Sequence, residues 1–319
     1  MSDGIHLVVG AGGFVGGRLV AELLLRGRKV RAVSSRPVDQ WLQKHEGADN
    51  YELDMRDNRN CDWAVEGDVK WIYNLAAKVG GIGYIKGPSK VPCMLSSLIN
   101  TNLLRSSVNK SLSGYLFTSS ACVYGDSPER AEEYANIAPS AGYGEEKLFS
   151  EQMTKYFGEE MGIPVHIVRP HTTYGPGDDI KGAEGKDHVP SALCRKVAKA
   201  KLHGPLEISI WGDGNQIRNF VTADDVVEAM IRLMNAPGAV GPFNVGSEES
   251  VTINQMVDML EEIAAVKLAR FYGGGETGVQ IRKCSNLRLW NAIDWQPRTK
   301  LIDGLRATYN DIWSNLVTK

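Results

Sequence analysis

The sequence predicts an α/β fold: a doubly wound parallel sheet with a smaller C-terminal α/β lobe. Three observations carry this. The stretch IHLVVGAGGFVGGRLVAELLLRG (5–27) reads as an apolar run, a glycine trio, apolar residues at helical spacing and a glycine stop. Apolar runs then recur between helical patterns, at 29–33, 69–77 and 114–125, as alternating β and α elements require. The chain has 319 residues, 43% of them hydrophobic, enough for a large core and two lobes.

Taken in order, residues 5–9 form the first strand, and Phe14, Leu19, Leu23 and Leu24 mark the helix that Gly27 ends. Between strand and helix lie Gly10, Gly13 and Gly16, beside Phe14 and Val15. Glycines there make a tight turn and let backbone N–H groups approach a pyrophosphate at a helix N-terminus. Strand, glycine turn, helix and second strand together define a Rossmann βαβ unit for a dinucleotide. The second strand runs into Ser34, Ser35 and Arg36 with no carboxylate. An enzyme that grips the ribose 2′-hydroxyl of NAD usually has Asp or Glu there, so this end favours NADP(H) and leaves NAD(H) open. Asp54 closes a third strand, where it either reaches the adenine amino group or serves as a turn aspartate. The fourth strand ends in small residues, Ala76 among them, that admit the cofactor. The glycine-rich KVGGIGYI follows, then a helix over 91–113.

GYLFTSSACVYG reads as a further buried strand with TSSACVYG as its C-terminal end, which places Ser120 and Cys122 where ligands bind in an open parallel sheet. Tyr143 and Lys147 in YGEEK are four residues apart on the next helix, phenol and ammonium on one face. A lysine and a cationic nicotinamide nearby lower a phenol's pKa toward the range useful for proton transfer.

Composition excludes several classes. The formal net charge is −2 with both signs interspersed, which leaves no footprint for nucleic acid or an anionic membrane. No apolar stretch is long enough to span a bilayer, and no targeting segment precedes the first strand. Five cysteines without C-x-x-C spacing suit a reducing compartment, so the expected location is cytoplasmic. The six histidines form no metal constellation with cysteines or carboxylates.

The glycine fingerprint, SSACVYG, YGEEK, RPHTTYGPG, WGDGNQIRNFVTADDVVEAM and FNVGSEESVTINQM resemble, in order and spacing, the extended short-chain dehydrogenase/reductase superfamily of NAD-dependent epimerases and dehydratases. The likeness runs nearly end to end. KVGGIGYI, SSACVYG and HVPSALCRK look most like the GDP-mannose 3,5-epimerase and GDP-L-fucose synthase families.

The resemblance implies a dinucleotide-binding domain over 1–168, to which 219–246 returns, and a nucleotide-sugar lobe made of 169–218 and 247–319. It implies a soluble homodimer built through a four-helix contact, acting on a nucleotide sugar. Ser120, Tyr143 and Lys147 become the hydride-transfer set, and Cys122 a base on the sugar ring. The other cysteines remain core thiols. The opposing acid is His188 or Lys186: counting back from the helix PSALCRK selects His188, counting forward from YGPG selects Lys186, and His188 is preferred because the helix anchors the register.

Gly81, Thr172 and Lys186 line the sugar, while Arg218 and Arg282 are candidates to clamp the diphosphate, since guanidinium suits bidentate phosphate binding. Three positions depart from the family pattern. Thr172 stands for asparagine, Ser96 for the helix asparagine that supports the tyrosine, and Ser285 for an acidic residue. The expected reaction is 3,5-epimerisation through a transient 4-ketone, with or without net C4 reduction. A 4-dehydrogenase, 4-reductase or 4,6-dehydratase is the alternative, and a cofactor-sensing binding protein without turnover a further one.

Overall fold

The computed structural model describes residues 4–77, 91–125, 137–139, 142–178, 188–274 and 280–318. Seven strands make the main sheet: β1 (Ile5–Val9), β2 (Val30–Ser34), β3 (Asp49–Glu52), β4 (Val69–Asn74), β5 (Gly114–Thr118), β6 (Val165–Pro170) and, after three strands of the second lobe, β10 (Phe243–Val245). Their spatial order is β10-β6-β5-β4-β1-β2-β3, every pair parallel. The order reverses between β1 and β4, which opens a crevice at their C-terminal ends.

One face of the sheet is covered by α1 (Phe14–Leu25), the other by α2 (Asn58–Ala64), α3 (Val91–Ser107) and α4 (Gly142–Met161). Strands buried on both sides need apolar residues at nearly every position, which is why IHLVV and GYLF read as continuous runs. Four boundaries differ from the sequence reading, the first being that β5 closes at Thr118 and residues 121–124 leave the sheet as a 3-10 turn. β3 closes at Glu52, so Asp54 lies beyond the strand. β4 closes at Asn74 rather than 77, and α3 stops at Ser107, two residues before Asn109 turns to φ 61°.

The second lobe contains β7 (Thr172–Tyr174), α5 (Val189–His203), β8 (Glu207–Ile210), β9 (Ile217–Thr222), β11 (Ser250–Thr252), α7 (Ile253–Ala264), β12 (Ala269–Tyr272) and α9 (Leu301–Val317). The sheets are β11-β9-β7 and β12-β8, and α5, α7 and α9 pack around Leu193, Val197, Leu260 and Leu305. Between these elements the chain returns to the main sheet. Helix α6 (Ala223–Met234) packs on α1, while Leu289 of α8 (Leu287–Ile293) and Trp295 join the same core. Asp225 ties the segments together: its carboxylate accepts from the backbone N–H of Arg298 (2.9 Å) and of Thr299 (3.3 Å). No helix among the described residues is long and apolar enough to cross a membrane.

Two histidines inside this core make stability pH-dependent. His6 on β1 is fully buried against Trp71 and Tyr73, and His166 on β6 is fully buried as well. Burial pushes both imidazoles down to about 4. Both are neutral in the fold, so below pH 6.5 the unfolded chain takes up protons that the native state refuses. Stability therefore falls as pH drops from 6.5 toward 4, by up to roughly 3 kcal/mol per histidine. Urea midpoints should show this slope, and replacing both histidines with leucine should flatten it.

Candidate active site

The site is built at the C-terminal end of β5. Ser120 is extended (φ −159°) and caps a short 3-10 turn, Ala121–Tyr124, its Oγ accepting the N–H of Cys122 at 3.1 Å. The turn buries Ala121, Val123 and Tyr124 and leaves the Cys122 side half-buried. Helix α4 starts beside it. A Cβ on Gly144 would lie 2.5 Å from the carbonyl oxygen of Cys122, so the first turn of α4 meets the 3-10 turn backbone to backbone.

That contact delivers Tyr143 and Lys147, both buried, to the strand end. The Tyr143 phenol lies close to Ser120. Lys147 Nζ donates to the carbonyl of Thr118 (3.0 Å) and lies 4.8 Å from the Phe117 ring centroid and 5.7 Å from that of Tyr143. Burial drives the phenol well above its ordinary pKa; Cys122, Glu146 and Cys93 add to this and Ser120 opposes it. Burial also lowers the lysine, against the pull of Glu146 and Glu151. In the protein alone the phenol is thus held protonated, and the added positive charge of a nicotinamide is what would bring it down.

Cys93 departs from the sequence reading. It is half-buried at the start of α3 and within electrostatic reach of Tyr143, not a core thiol. Cys61, Cys194 and Cys284 are buried, and burial pushes the Cys61 thiol up to about 12.

Beneath the turn runs a buried polar network to which the sequence pattern assigned no role. Arg169 on β6 donates to both oxygens of Glu151 on α4 (2.8 and 2.6 Å) and to the Tyr124 hydroxyl (2.9 Å). Tyr124 in turn donates to Asn244 on β10 (2.9 Å), and Ser119 donates to Glu151. A second cluster centres on Asn100 of α3. Its Oδ1 accepts from Asn74 (3.0 Å) and Tyr115 (3.2 Å), and its Nδ2 donates to the Ser150 carbonyl (3.3 Å). This bridge from α3 to β4, β5 and α4 lies one helical turn beyond Ser96.

The cofactor candidates line the crevice. Gly10 has φ +94° and its would-be Cβ is 3.0 Å from the N of Ala76, so the turns after β1 and β4 are in contact. At Gly16 a Cβ would stand 2.2 Å from the Gly10 carbonyl oxygen. Helix α1 begins at Phe14 with Gly13 as N-cap, no side chain on its N–H groups and no acid in its first turn. These features fit a pyrophosphate. Ser34 Oγ accepts the N–H of Arg36 (3.4 Å), whose side chain is exposed and whose carbonyl receives Trp41 Nε1 (2.9 Å). Asp54 is clasped by Arg56, which donates to both carboxylate oxygens.

On the other lobe, His188 caps α5, with Nδ1 3.5 Å from Asp178. Asp178 is buried and accepts from Ser191 Oγ (2.6 Å), which fixes its orientation. Thr172 opens β7. Arg218 on β9 donates to the carbonyls of Ile217 (2.8 Å) and Gln280 (3.3 Å), and burial and the neighbouring charge of Arg282 bring it down to about 10. Gly81 and Lys186 lie outside the described residues. Among the described residues no cluster of three His, Cys, Asp or Glu groups could hold a metal.

A parallel sheet with a glycine cradle at its switch point and a Ser-Tyr-Lys set one strand end away defines a nicotinamide-dependent enzyme of the short-chain dehydrogenase/reductase type. The chain belongs to the NAD dependent epimerase/dehydratase family, whose model matches residues 6–246. It is 32% identical to GDP-mannose 3,5-epimerase of Arabidopsis thaliana over 314 residues, 95% of this chain and 80% of that protein. GDP-L-fucose synthase 1 of the same plant is 26% identical over 76% of this chain and 77% of its own length. Among solved structures, UDP-glucose 4-epimerase with UDP-glucose from Thermotoga maritima superposes with a TM-score of 0.86 at 23% identity, covering 99% of this chain and all of that one.

Proposed function

We propose that the protein is a 3,5-epimerase of a GDP-mannose-like nucleotide sugar, acting through a transient 4-ketone. The observation that carries this reading is the position of Cys122, half-buried on the turn that Ser120 caps and beside Tyr143. The relatives named GDP-mannose 3,5-epimerase support it.

Gly10, Gly13, Phe14, Val15, Gly16, Ser34, Arg36 and Ala76 would hold the dinucleotide, with Asp54 toward the adenine. When bound, its nicotinamide supplies the hydride acceptor and donor for C4. Tyr143, held by Ser120 and Lys147, takes the proton from the C4 hydroxyl as that carbon becomes a ketone. Hydrogens on C3 and C5 are then acidic. Cys122 removes one from its face of the ring, and His188, whose Nδ1 is 3.5 Å from Asp178, returns a proton on the opposite face. The side-chain chemistry allows Lys186 as an alternative acid. Thr172 would line the sugar.

Exposed Arg36 favours NADP(H) and, with it, a variant that starts from a sugar already oxidised at C4 and ends with that carbon reduced, because hydride taken from C4 and returned to it consumes no NADPH. Arg218 and Arg282 converge to clamp the diphosphate. Arg218→Ala should weaken sugar-nucleotide binding by about 10–100-fold and leave dinucleotide affinity unchanged, as calorimetry would read. Exposed Met94, Leu98, Phe149 and Tyr156 on α3 and α4 support a homodimer across these helices, and five scattered cysteines without C-x-x-C spacing support a reducing, cytoplasmic location.

The test is incubation in D2O with GDP-, UDP-, CDP- and dTDP-sugars. Mass gain in a GDP-hexose, with inverted C3 or C5 by NMR, is the expected result. Cofactor reduction or oxidation without any mass gain would favour a 4-dehydrogenase or 4-reductase instead.

A further inference from the structure

Two carboxylates face the Lys147 ammonium, and they are differently placed. Glu151 is bound through both oxygens by Arg169 and accepts from Ser119, so its charge is already met. Glu146, the residue before the lysine, is buried with it. Its Oε1 accepts from Ser150 Oγ at 2.8 Å, which fixes the carboxylate. Its Oε2 stands 3.9 Å from Lys147 Nζ and, though buried, accepts no hydrogen bond among the described residues. Lys147 is the cation within ion-pair reach of it there. A buried oxygen without a donor costs stability, and a glutamate serving only to pack would not need one.

We infer that Glu146 is a positioning residue that sets the ionisation of the Tyr143–Lys147 pair. Its negative charge keeps the ammonium on Lys147 in a buried place and opposes premature ionisation of the Tyr143 phenol. The other groups facing the pair are Glu151 on α4, Ser120 and Cys122 on the turn after β5, the Thr118 carbonyl, and Cys93 on α3. None of these supplies a second uncompensated carboxylate. The inference rests on the reading of Tyr143 as the base for the C4 hydroxyl.

Glu146→Gln tests it, because the amide keeps an acceptor for Ser150 and removes only the charge. The 13Cε resonance of Lys147, assigned by its loss in Lys147→Met, reports the lysine directly. Its titration midpoint should fall by about one pH unit in Glu146→Gln and stay near wild type in Glu146→Asp. Both limbs of the pH–rate profile should move to lower pH in the glutamine variant, since both neighbours lose the same negative charge. Glu146→Thr repeats the comparison if the glutamine variant folds poorly. An unmoved midpoint, or a uniformly lower rate with unmoved limbs, overturns the inference. The NMR titration needs no substrate. Absence of turnover by the wild type would therefore sink the functional reading, while the lysine midpoint would still decide the role of Glu146.

Discussion

In the Cys122→Ser variant, solvent deuterium uptake at C3 and C5 falls by at least about two orders of magnitude, the scale set by losing a positioned proton-transfer group. Dinucleotide affinity stays as in the wild type. Serine is the most searching replacement because it preserves the turn. The backbone N–H of residue 122 still donates to Ser120 Oγ, and the close approach of Gly144 is to the carbonyl of residue 122, which no side-chain change removes. What changes is acidity: a thiol ionises within reach of neutral pH, a hydroxyl does not. Hydride exchange at C4 should survive, since Ser120, Tyr143 and Lys147 are untouched. Retention of full deuterium exchange would remove the thiol from the mechanism.

The second large effect is on stability. Arg169→Met should destabilise the protein by about 3–5 kcal/mol, because it strands the Glu151 carboxylate in the core. Set against a total of roughly 5–15 kcal/mol for a folded domain, such a loss would be severe. Arg169 is 1% exposed and holds Glu151 and Tyr124 from one guanidinium, so water cannot take its place without opening the space between α4, β6 and β10. Pairing it with Glu151→Gln should recover part of the loss, since the stranded charge goes too. Urea unfolding of the two single variants and the double variant closes the cycle. A cost under about 1 kcal/mol for Arg169→Met, the range of an exposed pair, would mean that the network is dispensable.

The parts of this molecule that could be read from the sequence are those with a local period. IHLVV followed by glycines and a helical apolar stripe announces the first βαβ unit. Tyr143 and Lys147 share a helix face because 3.6 residues make a turn. Ser120 and Cys122 are visible because they follow the apolar run GYLF, although the strand closes at Thr118 and not beyond SSAC.

What stayed hidden is polar and distant. Arg169 and Glu151 are 18 residues apart, Tyr124 and Asn244 are 120 apart, and nothing in the pattern of either segment names the other. Asp178 reads as one of several loop acids until the fold sets it 3.5 Å from His188. The helix register directs attention to Ser96, yet an asparagine that bridges α3 to β4 and α4 is Asn100, four residues on. Asp54 also has a neighbour that its place after β3 does not announce: Arg56, which donates to both of its carboxylate oxygens.

The meeting of Gly144 with the Cys122 carbonyl has a consequence for how this protein can vary. No neighbouring side chain can be trimmed to admit a methyl group there, because the obstacle is the main chain itself. A survey of tolerated substitutions would therefore rank position 144 beside the reactive side chains, although it has no functional group to contribute. Selection acting on the thiol and selection acting on the phenol pass through the same glycine, so neither can drift in position without carrying the other.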